Sequence, residues 1–413
     1  MSKKISLGMS LALILISITA TFAITMSLAR DIYSRLIPDL ESRIQQNRAL
    51  EDLAQKVSQN YYWYNKVDAT KLAAALSDGY LRGLGDPYSC YMNAQDYKLY
   101  TDRMTGKRQG VGVAVIFSQE AGQLQITQVY PGSPAEKSGL KKGDVLVKIG
   151  GTAVTAQNHG QLREQLEGSL LTGVDLTYTR AAAKAGDPPT EKTVTVMHGY
   201  DHPTVSSEQI GELAYIKISA FYQNSVTDFK NAVDSAAKRN VRAIIFDLRG
   251  TGQGDVAYCA EMLDYIVPLP SEGRKALAML VRQDGSAYKT FSSDAAGVNL
   301  PMAVLVNGKT AGAAELFACD LRDFEKAQLI GDKTAGNASY QADFRLLEGG
   351  AILLTVAMVQ PYKSALYHEI GLQPDIPVSL SAQQSENPEL VPHNEDSQLQ
   401  TAISLFVQES SKE

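Results

Sequence analysis

Two nearly continuous apolar runs constrain this chain most. Residues 243–248 read AIIFDL and residues 301–307 read PMAVLVN. A strand with one wet face alternates polar and apolar side chains, whereas a run that stays apolar is buried on both faces, as in the central strands of an α/β sheet. The second run passes through a polar turn, GKTAG, into AAELFACDLRD, which has helical spacing. Strand, sharp turn and helix in that order can hold a nucleophile at the helix N-terminus. Gly312 stands in that turn and has no side chain to offer. Upstream, ELAYIKISAFYQNSVTDFKNAVDSAAKRN predicts a strand, a loop and an amphipathic helix ahead of the first apolar run. These segments are expected to form one α/β core over residues 201–380.

At 413 residues the chain has room for two or three domains. Its 39 basic and 45 acidic side chains give a net charge of −6, and the basic residues are scattered, which argues against nucleic acid as the main partner. Cys90, Cys259 and Cys319 are far apart and odd in number, so no disulfide framework or metal-ligand spacing is visible. Each is expected to be a small buried hydrophobe. His159, His198, His202, His368 and His393 form no ligand motif. No metal or cofactor is expected.

Lys3 and Lys4 precede Ile5–Ala29, 25 residues without a formal charge. That exceeds the roughly 7–15 apolar residues of a secretion signal and suffices to cross a bilayer. An uncleaved anchor over 1–29 is favoured over a cleaved signal, for which Ala20 and Ala23 offer small residues. The two lysines would stay on the cytoplasmic side and place the bulk of the chain outside the membrane. Residues 30–107 read as helical. There Leu36, Leu40, Ile44, Leu50, Leu53 and Val57 form one loose apolar face, suited to a packed stalk or to a homodimer. The tail, 381–413, reads as a polar linker and a short amphipathic helix, QLQTAISLFVQ.

Specific motifs connect these segments. VLVNGKTAGAAE, residues 304–315, resembles the V-L-V-N-x-x-S-A-S-A-S-E segment of the C-terminal processing (tail-specific) proteases, peptidase family S41. Asn307 and Glu315 match, Thr310 takes the first Ser, Gly312 takes the nucleophile's position and Ala314 the last Ser. GDKTAGNASYQ, 331–341, resembles G-x-x-T-F-G-K-G-x-x-Q, in which Lys is the general base and Gln orients it. Asn337 stands at the Lys and Gln341 at the Gln. LRGTGQGD, 248–255, resembles the L-R-x-N-P-G-G turn that lends backbone N–H groups to an oxyanion. Here Gly252 stands at the Pro, Gln253 at the first Gly and Gly254 at the second. LGDPYSCYM, 84–92, and GLQPDIPV, 371–378, resemble further signatures of the family, so the resemblance runs from about residue 70 to residue 380.

Residues 108–200 resemble a bacterial, circularly permuted PDZ domain. The markers are GVGVAV at 110–115 and YPGSPAEKSGLKKGD at 130–144. In that resemblance Gly110, Val111, Gly112 and Val113 are a carboxylate-binding loop whose N–H groups grip a peptide C-terminus. A helix over 158–168 would flank the groove. The whole implies a multidomain α+β and α/β chain: an N-terminal helical region, a β-rich PDZ domain with two helices, and an S41-type α/β core.

The residues qualify the activity that the family implies. A Ser/Lys hydrolase needs a hydroxyl to attack and a neutral amine to take its proton. Gly312 and Asn337 supply neither, and losing one member of such a unit costs on the order of 10⁶ in rate. Gln253 is expected to restrict a turn where positive φ is needed. The expected function is binding without cleavage, of protein C-termini or of a partner protein such as an active homologous protease. The alternative is an active C-terminal processing endopeptidase with a relocated or residual site. Thr310, Ser339, Lys309 and Lys333 lie near enough in sequence to be asked, and each is expected to serve a turn or the surface.

Overall fold

The computed structural model describes residues 7–36, 40–106, 109–118, 122–168, 172–181, 189–201, 203–267, 276–293, 297–347, 349–386 and 388–408. It divides into two units, Met1–Leu76 and Ser77–Glu413. The first is helical, with α1 (Leu7–Leu36), α2 (Leu40–Asn60) and the start of α3 (Ala69–Arg82). Gly8–Leu28 of α1 is long and apolar enough to cross a membrane, and none of it is buried. The helix runs on past residue 29 without a break. Leu50 and Leu53 of α2 are exposed. The side chains of Leu36, Leu40 and Ile44 lie outside what the structure describes.

The second unit opens with the short edge strand β1 (Cys90–Met92) and with α4 (Ala94–Met104). Asn93 starts α4 by accepting the Gln95 and Asp96 N–H groups on its side-chain oxygen. Cys259 and Cys319 are buried but Cys90 is exposed, a correction to the expectation, because its strand is three residues long and lies at a sheet edge.

A β-rich module follows. It comprises β2 (Gln109–Gly110), β3 (Val113–Ser118), β4 (Gln123–Val129), α5 (Pro134–Lys137), β5 (Val145–Ile149) and β6 (Thr152–Ala153). It continues through α6 (His159–Glu164), β7 (Glu167–Gly168), β8 (Gly173–Arg180) and β9 (Thr190–Met197). The main sheet has the order β3-β4-β5-β8-β9, with β3 at the edge, and β2 pairs with β7. Leu124, Ile126, Leu146, Ile149 and Leu176 fill its centre. The helix expected over 158–168 is shorter, because the chain leaves it after Glu164 to pair β7 with β2.

The α/β core comprises β10 (Val205–Ile210), β11 (Leu213–Ile218), α7 (Gln223–Lys238), β12 (Ala243–Asp247), α8 (Val256–Ile266), β13 (Ala276–Val281) and β14 (Ala287–Ser292). Next come β15 (Met302–Val306), α9 (Ala313–Asp323), β16 (Ala327–Gly331), β17 (Ser339–Arg345), β18 (Ala351–Gln360) and β19 (Ile376–Pro377). The tail adds α10 (Ala382–Glu386) and α11 (Ser397–Gln408). The central sheet runs β10-β11-β12-β15-β16-β19 and is parallel from β11 onward. Every residue of β12 and β15 is buried, as the two apolar runs require. On one face α7, α8 and α9 close over Phe221, Phe229, Phe246 and Phe317, whose rings lie 5.3–5.8 Å apart. Each such buried ring contributes about 2–3 kcal/mol of transfer free energy. On the other face α11 seats Leu399 and Ala402 against Ile245, Ala303 and Leu305.

Asp320 is an internal cost of this packing. It is buried on α9, its Oδ1 accepts the Tyr362 N–H at 3.0 Å, and its Oδ2 has no partner among the described residues. Burial pushes its carboxyl well above the usual range, against the Tyr362 hydrogen bond and with help from Asp323. A raised carboxyl pKa favours the folded state only while it keeps its proton. Stability is therefore fullest below the ordinary carboxyl pKa and falls as pH rises toward the folded value. Asp320→Asn is expected to add about 1–3 kcal/mol at pH 8 and little at pH 4. Denaturant unfolding at the two pH values measures it.

Candidate functional site

Open parallel sheets bind ligands beyond the carboxyl ends of their strands. Here β12, β15 and β16 end in three turns, 248–255, 307–312 and 332–338. Hydrogen bonds stitch the turns together. Asn307 Oδ1 accepts the N–H groups of Gly250 and Lys309, each at 3.0 Å. Ala311 N–H donates to Thr251 O at 2.9 Å and Ala335 N–H to Thr310 O at 3.0 Å. The carboxylate of Glu315, fully buried, closes the set. Its Oε2 accepts the Gly312 and Asn337 N–H groups at 3.1 and 2.7 Å. Its Oε1 accepts the Gly336 N–H at 2.7 Å and the Thr334 hydroxyl.

Gly312 sits at the corner before α9 with φ 62° and ψ −122°. A side chain there is strained by the backbone, yet a Cβ would meet nothing within 4 Å. The site thus keeps the space of a nucleophile and the strained corner, without the atoms. Gly312→Ser is expected to lower stability by about 1–3 kcal/mol with no clash, read as a lower denaturation midpoint.

The other site residues fall around the same corner. Gln253 is not among the residues with positive φ; the left-handed angle falls on Gly254, at φ 124°. The expectation that Gln253 restricts the turn is corrected, because the residue that must be glycine is the next one. A Cβ on Gly254 would lie 2.4 Å from Phe221 O. Asn337 Oδ1 accepts the Ser339 N–H at 3.0 Å and the Ser339 hydroxyl. Gln341 Nε2 donates to Ser339 Oγ at 2.7 Å, so Gln341 holds a serine where the resemblance gives it a base to orient.

Gly252, Gln253, Gly254, Gly312, Asn337 and Gln341 line one cleft of about 310 Å³. Tyr100, Arg103, Tyr222 and Tyr340 also line it, and no sequence motif singled them out. Tyr222 Oη donates to Gln253 Oε1 at 2.6 Å. Burial, with Asp255 nearby, pushes the Tyr340 phenol up to about 12, so it is neutral in ordinary conditions. No lysine lines this cleft among the described residues. Lys309 and Lys333 are both exposed. Thr310 is buried and its hydroxyl donates to Leu248 O at 2.9 Å while accepting the Asn307 N–H at 3.0 Å. Among the described residues no group of His, Cys, Asp and Glu could hold a metal ion.

The second candidate is the loop Gly110–Val113. Gly110 N–H donates to Tyr200 O at 2.7 Å and Val111 N–H to Leu166 O at 2.9 Å. Those donors are spent, which corrects the expectation of a four-residue grip and leaves at most Gly112 and Val113. Gly112, at φ 86°, passes so close to Ser133 that an added Cβ would lie 2.2 Å from it. The free edge of β3 faces a cleft of about 610 Å³. Its walls include Arg163 and Leu166 of the module and Lys217 and Thr251 of the core. An edge strand of this kind can take an added peptide strand.

Comparison with known proteins follows this division. Residues 212–378 match peptidase family S41 and residues 125–172 match a PDZ domain. The core is a peptidase family S41 domain. The chain is 28% identical over 319 residues to the carboxy-terminal processing protease CtpA of Bacillus subtilis, covering 77% of this chain and 66% of that protein. It is 27% identical over 331 residues to the "Probable CtpA-like serine protease" of Staphylococcus aureus, covering 79% of this chain and 64% of that protein. The chain therefore spans just under two thirds of the length of either relative. Among solved structures, the photosystem II D1 C-terminal processing protease superimposes with a TM-score of 0.50 at 21% identity, over 83% of this chain and 93% of that one. At that identity the likeness supports the fold. The S41 core and the PDZ domain thus carry the multidomain architecture read from the sequence.

Proposed function

We propose that this chain is an extracytoplasmic binding protein built on the S41 and PDZ framework. It holds polypeptide C-termini, or a partner protein, without cutting them. The observation that carries the reading is Gly312. The corner that would present a nucleophile is glycine, no lysine lines the cleft among the described residues, and Asn337 offers an amide that is not basic near neutral pH. The framework around the missing groups supports retention for another use, since Asn307 and Glu315 still bind the three turns together. Peptide binding asks only for backbone donors, a strand edge and an apolar wall. The apolar helix Gly8–Leu28 supports an anchor that leaves the remainder outside the membrane. A homodimer through the N-terminal helices and pairing with an active homologous protease belong to the same proposal.

The test is cleavage of an unstructured polypeptide with an apolar C-terminus, followed by mass spectrometry. The parent chain and the variant Gly312→Ser, Asn337→Lys are compared. The parent is expected to leave the substrate intact while the double variant cuts it. Cutting by the parent would overturn the reading and call for another nucleophile.

A further inference from the structure

We propose that the cleft beside Gly312 is a receptor for the C-terminal carboxylate of a peptide whose last side chain is apolar. This rests on the reading that the site does not cut. The argument is a mismatch between donors and acceptors. Asn337 and Gln253 both line the cleft, and in both the amide oxygen is taken, by Ser339 and by Tyr222. Among the described residues neither amide nitrogen has a hydrogen-bond partner, and neither do the backbone N–H groups of Gly252, Gln253 and Gly254. Arg103 Nε is buried without a partner, while its Nη2 holds Glu164 at 2.9 Å.

A wall rich in unspent donors selects a group that only accepts. A carboxylate is such a group, with two oxygens, about four lone-pair sites and a full charge. Bonds from neutral or charged donors to it are roughly twice as strong as neutral pairs. Among the described residues Asp255 is the single carboxylate that lines the cleft, and its Oδ1 is engaged by the Ala257 N–H at the start of α8. Met104, Val256 and Leu353 give the cleft an apolar side. At about 310 Å³ it suits one terminal residue with its side chain, and an inorganic anion would leave that side empty. In a hydrolase, donors placed like these stabilise charge that develops only after attack. With no attacking atom at Gly312, the same donors are free to hold a charge already present in the ground state.

The probe is a labelled hexapeptide, Gly-Ser-Gly-Ser-Ala-Leu, as free acid and as C-terminal amide. Binding to the full chain is followed by fluorescence anisotropy. The acid is expected to bind at least about tenfold tighter than the amide, a difference of about 1.4 kcal/mol. Two near-isosteric variants set a carboxylate against the ligand's own. Asn337→Asp keeps the oxygen that Ser339 uses, and Gln253→Glu keeps the oxygen that Tyr222 uses. Each should bring the acid-to-amide ratio close to one, chiefly by weakening the acid, with the thermal midpoint nearly unchanged. Acetate at the concentration of the labelled acid should not compete; competition would mean that the cleft takes a small anion and that the apolar side plays no part. Equal binding of acid and amide by the parent would overturn the proposal. So would a preference for the acid that survives both variants, because the carboxylate would then sit at the Gly110–Val113 loop. Mass spectrometry of the recovered hexapeptide tests the other reading separately. A cut peptide means that the non-cutting assignment has failed, whatever the affinities show.

Discussion

Replacing Arg249 by Met should cost about 3–5 kcal/mol and detach the C-terminal helix from the core. Arg249 lies in the turn that carries Gly252–Gly254. Its guanidinium bonds Asp247 with two nitrogens, Nε at 2.9 Å and Nη2 at 2.8 Å, and Nη1 reaches Asp396 at 2.8 Å and Gln398 at 3.0 Å. Tyr215 donates to the same Asp247 carboxylate at 2.5 Å. Arg249, Asp247 and Asp396 are all buried. Removing the cation strands two carboxylates in a place that water does not reach, which is the expensive way to break such a pair.

The pH dependence gives the sign. Burial alone would raise Asp247, but Arg249 outweighs it and holds the carboxyl below its usual value. A depressed carboxyl stabilises the fold above the unfolded pKa of about 3.9, and the gain is lost as pH falls through the lower folded value. In Arg249→Met burial is opposed only by Lys217 and by the Tyr215 hydroxyl, so the slope is expected to reverse and the variant to weaken as pH rises. Denaturant unfolding of the parent at about pH 5 and pH 3 measures the first statement, and of the variant at about pH 5 and pH 8 the second. A loss under about 1 kcal/mol would show that the network is solvated and that α11 is held by its apolar face alone.

The parts legible in the sequence are those whose cause is local. AIIFDL and PMAVLVN read as central strands because burial on both faces erases alternation within a few residues. QLQTAISLFVQ reads as a helix because its apolar spacing is helical, and Leu399 and Ala402 are the residues it buries. Strand, polar turn and helix follow one another directly and place a corner near Ala311–Glu315, and the family resemblance singles out Gly312 within it.

What stayed illegible depends on partners far along the chain. The Gly110 and Val111 N–H groups looked free, and their acceptors are Tyr200 and Leu166, 90 and 55 positions away. Arg249 meets Asp396 across 147 positions, and no motif pairs them. Gln253 looked misplaced because the turn's demand for a left-handed residue could be assigned only to within one position. Arg103 reaches the cleft from α4, which carries no signature of its own.

Glu315→Gln should cost about 2–4 kcal/mol, a loss set by bonds to a charged acceptor and by a donor left facing donors. The motif shows that this glutamate is present but not what it holds. Its two oxygens accept from Gly312, Thr334, Gly336 and Asn337, so one buried carboxylate fixes the helix corner against a loop that begins 19 residues later. In the glutamine variant one oxygen becomes an NH₂ group. Placed at Oε2 it opposes the Gly312 and Asn337 N–H groups; placed at Oε1 it opposes Gly336 N–H and the Thr334 hydroxyl. Neither orientation satisfies all four, so the loop 334–337 must move. The consequence reaches binding as well as stability, because Asn337 lines the cleft and its backbone is held by this carboxylate. Amide exchange should quicken at Gly336 and Asn337 well before global unfolding, and the preference for a free C-terminal carboxylate should weaken in parallel. A stability loss without faster exchange at those two amides would mean that Glu315 supports α9 alone, and that the Gly312 corner and the cleft beside it are held by the backbone bonds between Thr251, Ala311, Thr310 and Ala335.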